Sequence, residues 1–254
     1  MGDDRSLIGH ESRASDAERA ARLALEAAYR ESPIPGSEIL DQLGLFQSHI
    51  HLARTLWFNH LYEQILETPG AICMFGVRWG QDMVTLGNLR ALREPYNHLR
   101  RTIGFDTFSG FPRVAEEDGT SGYAAAGNYA VSPGYERELE RVLASHEATQ
   151  PIPHIRKFEL VKGDVTLTLR QFLKDNPALV VALCYLDFDT YEPTRFVLEC
   201  LAPHLSKGSV IAFDEFAHPK WPGETLACKD TLSLREIRLR RVTFAPNQAY
   251  LILD

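Results

Sequence analysis

The chain is poor in the features that would mark a zinc module, a membrane span or a nucleic-acid binder. Cysteine occurs four times in 254 residues, as Cys73, Cys184, Cys200 and Cys228, with no Cys-x-x-Cys pair and no Cys/His spacing of zinc type. That scatter excludes a metal ribbon or disulfide scaffold, and it suits small buried hydrophobes in a reducing cytoplasm. No window approaches the roughly 20 apolar residues of a membrane helix, and the opening Met-Gly-Asp-Asp-Arg-Ser lacks a basic segment followed by an apolar one. No membrane partner and a cytoplasmic location are therefore expected. Positive charge is also short: the net charge is −7 and the pI about 5.7, so nucleic acid and anionic lipid find no general attraction. Neither an internal repeat nor a low-complexity tract is present.

What remains is an ordinary globular composition, 44% apolar and 24% charged, enough for one large α/β domain. Residues 1–13 are polar, after which Ser15-Asp-Ala-Glu18 offers a cap and an early acid for an Ala/Leu-rich helix, Ala17 to Arg30. A second helical stretch, about Asp41 to Glu67, has apolar residues at helical spacing and stops at Thr68-Pro69-Gly70. Residues 1–68 thus read as an N-terminal helical extension or cap. Its apolar stripes suit either a cover over a ligand site or a homo-oligomer contact, and periodicity does not separate the two.

From Ala71 the pattern alternates between strands and helices, which predicts an α/β fold with a Rossmann-like, seven-stranded, mostly parallel sheet and helices on both faces. Strands are expected at 71–76, 101–106, 157–162, 180–187, 208–214, 238–244 and 247–253. The last two, split by Ala245-Pro246-Asn247, would form a closing antiparallel hairpin. The stretch 112–150 is too long for a simple connection and reads as a lid-like insertion, rich in Gly119, Gly122, Gly127, Pro133 and Gly134.

Two acidic clusters sit directly behind buried-strand runs: Asp187-Phe188-Asp189 after Val180 to Leu186, and Asp214-Glu215 after Ser209 to Phe213. Carboxylates at adjacent parallel strand ends converge where open α/β sheets bind ligands, and several together repel one another unless a cation or proton lies between them. A site for a hard divalent ion follows. Upstream, Ala71 to Phe75 runs into a Gly76-Val-Arg-Trp-Gly80 turn and a helix, Gln81 to Arg93, whose free amides favour a carboxylate or phosphate. Asp106 ends a second strand, where it could accept ribose hydroxyls or merely cap a helix. Lys162-Gly163-Asp164-Val165 ends a third, within reach of an adenine amino group. The acidic clusters could instead cap helices or pair with arginines such as Arg195. Trp79 could wall a ligand site or pack in the core. Surface or cap roles suit His49, His51 and His60, while His218 lies in a loop near the acids, where it could touch substrate, serve as a base or simply be solvated.

Taken together, Phe75-Gly-Val-Arg-Trp-Gly80, Gly104-Phe-Asp-Thr-Phe-Ser-Gly-Phe-Pro112, Lys162-Gly-Asp-Val165, Leu186-Asp-Phe-Asp-Thr-Tyr-Glu-Pro193, Phe213-Asp-Glu-Phe216 and Pro222-Gly-Glu-Thr225 resemble a class I S-adenosylmethionine-dependent methyltransferase. More narrowly, they resemble the macrocin O-methyltransferase (TylF-like) family of sugar O-methyltransferases, from about residue 50 to the C-terminus. The resemblance implies a methyltransferase domain over 69–254 and secondary-metabolite tailoring of a deoxysugar hydroxyl, on a nucleotide sugar such as dTDP-rhamnose or on a glycoside. It places Phe75, Gly76, Val77, Arg78 and Gly80 at the methionine end of the cofactor, Asp106 with Thr107 and Ser109 at the ribose, and Asp164 with Val165 at the adenine, with Asp187 also touching the cofactor. Magnesium or a similar divalent ion would be held by Asp187, Asp214 and Glu215, with Asp189 as general base beside Asp187. One departure is Met74, where the family commonly has an acid. Arg113, Lys220 and Lys229 are candidates for a nucleotide diphosphate.

Two other functions stay open on sequence. A catechol or phenol O-methyltransferase uses similar metal logic but places a lysine three residues after its first metal aspartate, where Thr190 stands. A non-catalytic cofactor-binding scaffold would tolerate loss of Asp187 and Asp214.

Overall fold

The computed structural model describes residues 15–120 and 124–254. The polar residues 1–13 and Gly122 of the insertion lie outside the described residues. The chain divides into a unit ending at Arg54 and a larger unit, Thr55–Asp254. In the first, helix α1 (Asp16–Arg30) starts at the expected cap: the Ser15 hydroxyl accepts from the Glu18 amide at 3.2 Å, and the Glu18 carboxylate accepts from the Ser15 amide at 2.6 Å. None of its residues is buried; Tyr29 meets Phe46 edge-on at 5.2 Å.

The single helix expected over 41–67 is two elements. A 3₁₀ turn spans Ile39–Leu45, and helix α2 spans His49–Gln64. The break falls where Ser48 can cap: its hydroxyl accepts the His51 amide at 3.4 Å. The end comes early because Arg100, only 2% exposed, takes up carbonyls there, donating to Ile65 and Thr68 at 2.9 Å each and to Gly70 at 2.7 Å. Glu94 pairs with it at 2.9 Å, so the buried charge is satisfied.

The larger unit is built on seven strands: β1 (Ala71–Phe75), β2 (Thr102–Asp106), β3 (Phe158–Lys162), β4 (Val181–Leu186), β5 (Leu205–Phe213), β6 (Arg240–Val242) and β7 (Ala245–Ile252). Their order is β3-β2-β1-β4-β5-β7-β6, parallel through β5, with β7 antiparallel to both neighbours. Central β1 and β4 are buried at every position, as continuous apolar strands covered on both faces must be. One face carries Trp57, Phe58, Leu61 and Tyr62 of α2, then α3 (Gln81–Arg93) and α4 (Tyr135–Ala148). The other carries α5 (Val165–Asp175), α6 (Tyr191–Leu201) and α7 (Gly223–Thr231).

The hairpin turns at Thr243-Phe244 and not at Ala245-Pro246-Asn247, which opens β7. Pro246 is tolerated there because it has no register partner on either side: β5 pairs with β7 only from Ala249 onward, and the β6 partners on β7 are Ala245 and Tyr250. Within the 112–150 insertion, a 3₁₀ turn spans Glu116–Asp118, and α4 buries Leu139 and Leu143 against the sheet. His60 is half-buried and not a surface residue: its Nε2 lies 2.9 Å from the Tyr250 hydroxyl, and burial lowers its basicity. All four cysteines are free thiols, and burial pushes Cys73 and Cys228 up to about 12. Among the described residues, no helix is long and apolar enough to cross a membrane.

Candidate active site

Strand register sets the site. Phe75 pairs with Phe105 and with Leu186, and Leu186 with Phe213, so Gly76, Asp106, Asp187 and Asp214 emerge at one level of the sheet. The ladder runs one step further, the Asp187 amide donating to Phe75 at 2.8 Å and the Asp214 amide to Leu186 at 2.9 Å. Gly76 has φ +92°, and a Cβ there would meet the Asp187 carbonyl oxygen at 2.0 Å. Only glycine lets the turn after β1 and the acidic loop after β4 lie this close.

On the β1–β3 side the acids are filled by donors. Asp106 accepts the Val77 amide at 2.7 Å and the Arg78 amide at 2.8 Å on one oxygen, and the Phe108 amide at 2.5 Å on the other. Asp164 caps α5, accepting from the Thr166 amide at 2.9 Å and hydroxyl at 2.7 Å, and pairs with Arg113 at 3.5 Å. Arg113 also meets Glu192 at 2.9 Å, so it bridges the start of α5 to the start of α6. Thr107 turns its hydroxyl onto Gly110 at 2.7 Å and accepts the Ser109 amide at 3.1 Å. Phe75 and Val165 are buried in the core.

On the β4–β5 side the acids face one another. Carboxylate oxygens of Asp187, Asp214 and Glu215 all lie within 4.8 Å of each other. Asp214 is buried and accepts from the Tyr185 hydroxyl and from Gln248 at 3.2 Å. One Glu215 oxygen is buried without a hydrogen-bond partner, and burial, with Asp214 and Asp189 next in weight, pushes its carboxyl well above the usual range. Burial does the same to Glu224, reinforced by Asp189 and Asp187. An all-oxygen donor set with an orphaned buried oxygen fits a hard divalent ion.

Phe111, Tyr129 and Trp221 pack together at 5.2–6.4 Å between ring centres, and Arg78 lies over the Tyr129 ring at 4.9 Å. The turn after β1 therefore touches the insertion. Five non-glycine residues on these loops, Arg78, Phe108, Tyr129, Asp189 and Ala217, have positive φ, a concentration of strain typical of functional loops.

No protein-family model and no curated protein sequence matches the chain. Among solved structures, CalS11, a calicheamicin methyltransferase, superimposes with a TM-score of 0.92 and is 42% identical over 99% of this chain and 97% of its own. The chain belongs to that S-adenosylmethionine-dependent O-methyltransferase family. An apo structure of CalS11, described as a TDP-rhamnose 3'-O-methyltransferase, gives a TM-score of 0.84 and 39% identity over 94% of this chain and 96% of its own. The O-methyltransferase NovP shares the fold, with a TM-score of 0.61 and 20% identity over 79% of each chain.

Several expectations about this methyltransferase change on the structure. Trp79 is 45% exposed against Tyr135 at 4.8 Å, so it is not core packing. Met74 is buried in the core. Arg195 pairs with Glu199 at 3.1 Å along its own helix. Three site residues went unassigned in the sequence: Tyr185, Asp118 and Glu224. Asp118, from the insertion, is buried and accepts the Tyr191 amide at 2.6 Å, capping α6 from a distant segment. Glu224 stood inside the quoted Pro-Gly-Glu-Thr motif, which was the one available signal.

Proposed function

We propose that this methyltransferase methylates a hydroxyl of a deoxyhexose, nucleotide-linked or already on a glycoside, in the tailoring of a secondary metabolite. The observation carrying this reading is the convergence of Asp187, Asp214 and Glu215 level with the Gly76 turn and Asp106. S-adenosylmethionine, when bound, supplies the electrophilic methyl carbon. A divalent ion, when bound to Asp187, Asp214 and Glu215, would stabilise an alkoxide by several kcal/mol.

The chain's own residues would align and deprotonate the acceptor. The Gly76–Gly80 turn, whose Val77 and Arg78 amides are tied to Asp106, would shape the cofactor end, which matters because in-line displacement depends on positioning. Asp189 would accept the hydroxyl proton, a contribution of about 10²–10⁴ in rate. The wall of Phe111, Tyr129 and Trp221 would exclude water and offer apolar faces to a sugar ring. Thr190 is buried and donates to the Phe188 carbonyl at 3.0 Å, so no side chain at that place reaches outward as a catechol enzyme's lysine would.

The test is mass spectrometry of TDP-rhamnose, a rhamnosyl glycoside and catechol after incubation with S-adenosylmethionine. One added methyl on a sugar substrate, lost with EDTA and restored by Mg2+, is expected. Methylation of catechol alone, or no binding of S-adenosylhomocysteine by isothermal titration, overturns the reading.

A further inference from the structure

The parallel ladder aligns Asp187 with Asp214 but leaves the loops beyond them without strand bonds. One buried side chain bridges that gap. Glu224, fully buried in the first turn of α7, accepts the Phe188 amide at 3.0 Å and the Asp189 amide at 3.2 Å on one oxygen, and the Glu215 amide at 3.2 Å on the other. These amides belong to the first acidic loop and to the second. We propose that Glu224 is a positioning residue that sets the separation of the two loops, so that Asp187, Asp214 and Glu215 converge on one cation and Asp189 is held beside them. This inference rests on the divalent-ion reading above.

Three features of the chain support it. A carboxylate is acceptor-only at both ends, which is what facing amides from two loops require; a carboxamide would turn an NH₂ onto one of them. Asp189 sits at φ +60°, a conformation that needs support from its surroundings, and its amide is one of the three held. Gly223 lets α7 come close enough, since a Cβ there would lie 2.8 Å from the Asp189 carbonyl oxygen and 2.6 Å from the Tyr191 nitrogen. Both Glu224 oxygens are committed to amides, which distinguishes it from the trio facing the candidate ion.

The experiment compares wild type, Glu224→Gln and Glu224→Asp as full-length proteins. Mn2+ binding would be followed by electron paramagnetic resonance, S-adenosylhomocysteine binding by calorimetry, and exchange of the Phe188, Asp189 and Glu215 amides by hydrogen–deuterium methods. Glu224→Gln should keep cofactor affinity within a few-fold, lose Mn2+ affinity and kcat by about tenfold or more, as removal of a group orienting metal ligands does, and exchange those amides faster. Glu224→Asp keeps the carboxyl group but cannot span both loops, and it should show the same losses to a lesser degree; it serves if the Gln variant does not fold. Wild-type Mn2+ affinity with unchanged exchange in a folded variant overturns the inference alone. A wild type that binds no Mn2+ overturns the divalent-ion reading, and the inference with it.

Discussion

Asp106 and Asp214 leave the carboxyl ends of β2 and β5 at one level of the same sheet, yet they enter opposite surroundings. Asp106 meets three backbone amides from the turns beside it, and Asp164 meets its own helix cap and Arg113. Asp214 meets Tyr185 and Gln248 on one side and two more acids on the other. Carboxylates with donors stabilise the fold as it stands, whereas carboxylates facing carboxylates raise its energy until a cation or proton joins them. The β1–β3 half is thus organised in advance, and the β4–β5 half is left with carboxylates that a cation or a proton has to reconcile.

The largest break in that comparison is Asp214→Asn. It removes one charge from the crowded half and leaves the Tyr185 packing in place, so turnover should fall by about 10³-fold, the several kcal/mol an ion contributes to the alkoxide. Affinity for S-adenosylhomocysteine, measured by calorimetry, should stay within a few-fold because no amide of the Gly76 turn touches Asp214. A parallel loss of cofactor affinity would show that the halves are not independent.

Asp106→Asn breaks the other half. Its carboxylate faces donors on both oxygens, so a carboxamide would oppose either Phe108 or the Val77 and Arg78 amides. Losing charge-assisted bonds of about 1.5–3 kcal/mol should weaken S-adenosylhomocysteine binding by about 10- to 100-fold, with kcat at saturating cofactor nearly unchanged. A fall in kcat with unchanged affinity would contradict the assignment of this half to the cofactor.

How much of this division was legible beforehand follows from where each residue's role originates. Asp187, Asp189, Asp214 and Glu215 stand directly after apolar runs, so local pattern and parallel register together bring them to one edge. The seven strands and the antiparallel close were readable for the same reason. Glu224 looked like an ordinary acid in a helix's first turn, where acids are favoured anyway. Its partners lie 36 and 35 residues away on another loop, and Asp118 reaches across 73 to Tyr191. No local pattern encodes such approaches; they depend on how α7 and the insertion pack. Tyr185 was hidden inside a continuous apolar strand, where a hydroxyl at the end of a ring reads as one more buried aromatic. Pro246 misplaced the hairpin turn because proline is a turn marker except at a strand position that no neighbouring strand pairs.

Tyr185 also supplies the smallest of the expected effects. Its ring packs on Phe58 at 4.7 Å while its hydroxyl donates to Asp214, so Tyr185→Phe keeps the packing and deletes only the bond. Gln248 remains a donor to the same oxygen, which should limit the loss to about tenfold in kcat, near the lower end for a bond to a charged group. Stability should change little, because the ring stays buried against Phe58 and no cavity opens. Thermal unfolding and kcat measured on one preparation separate the cases: a lower midpoint with normal kcat would make the hydroxyl a support of the core, and the reverse would make it part of the acidic half, holding Asp214 toward its neighbours.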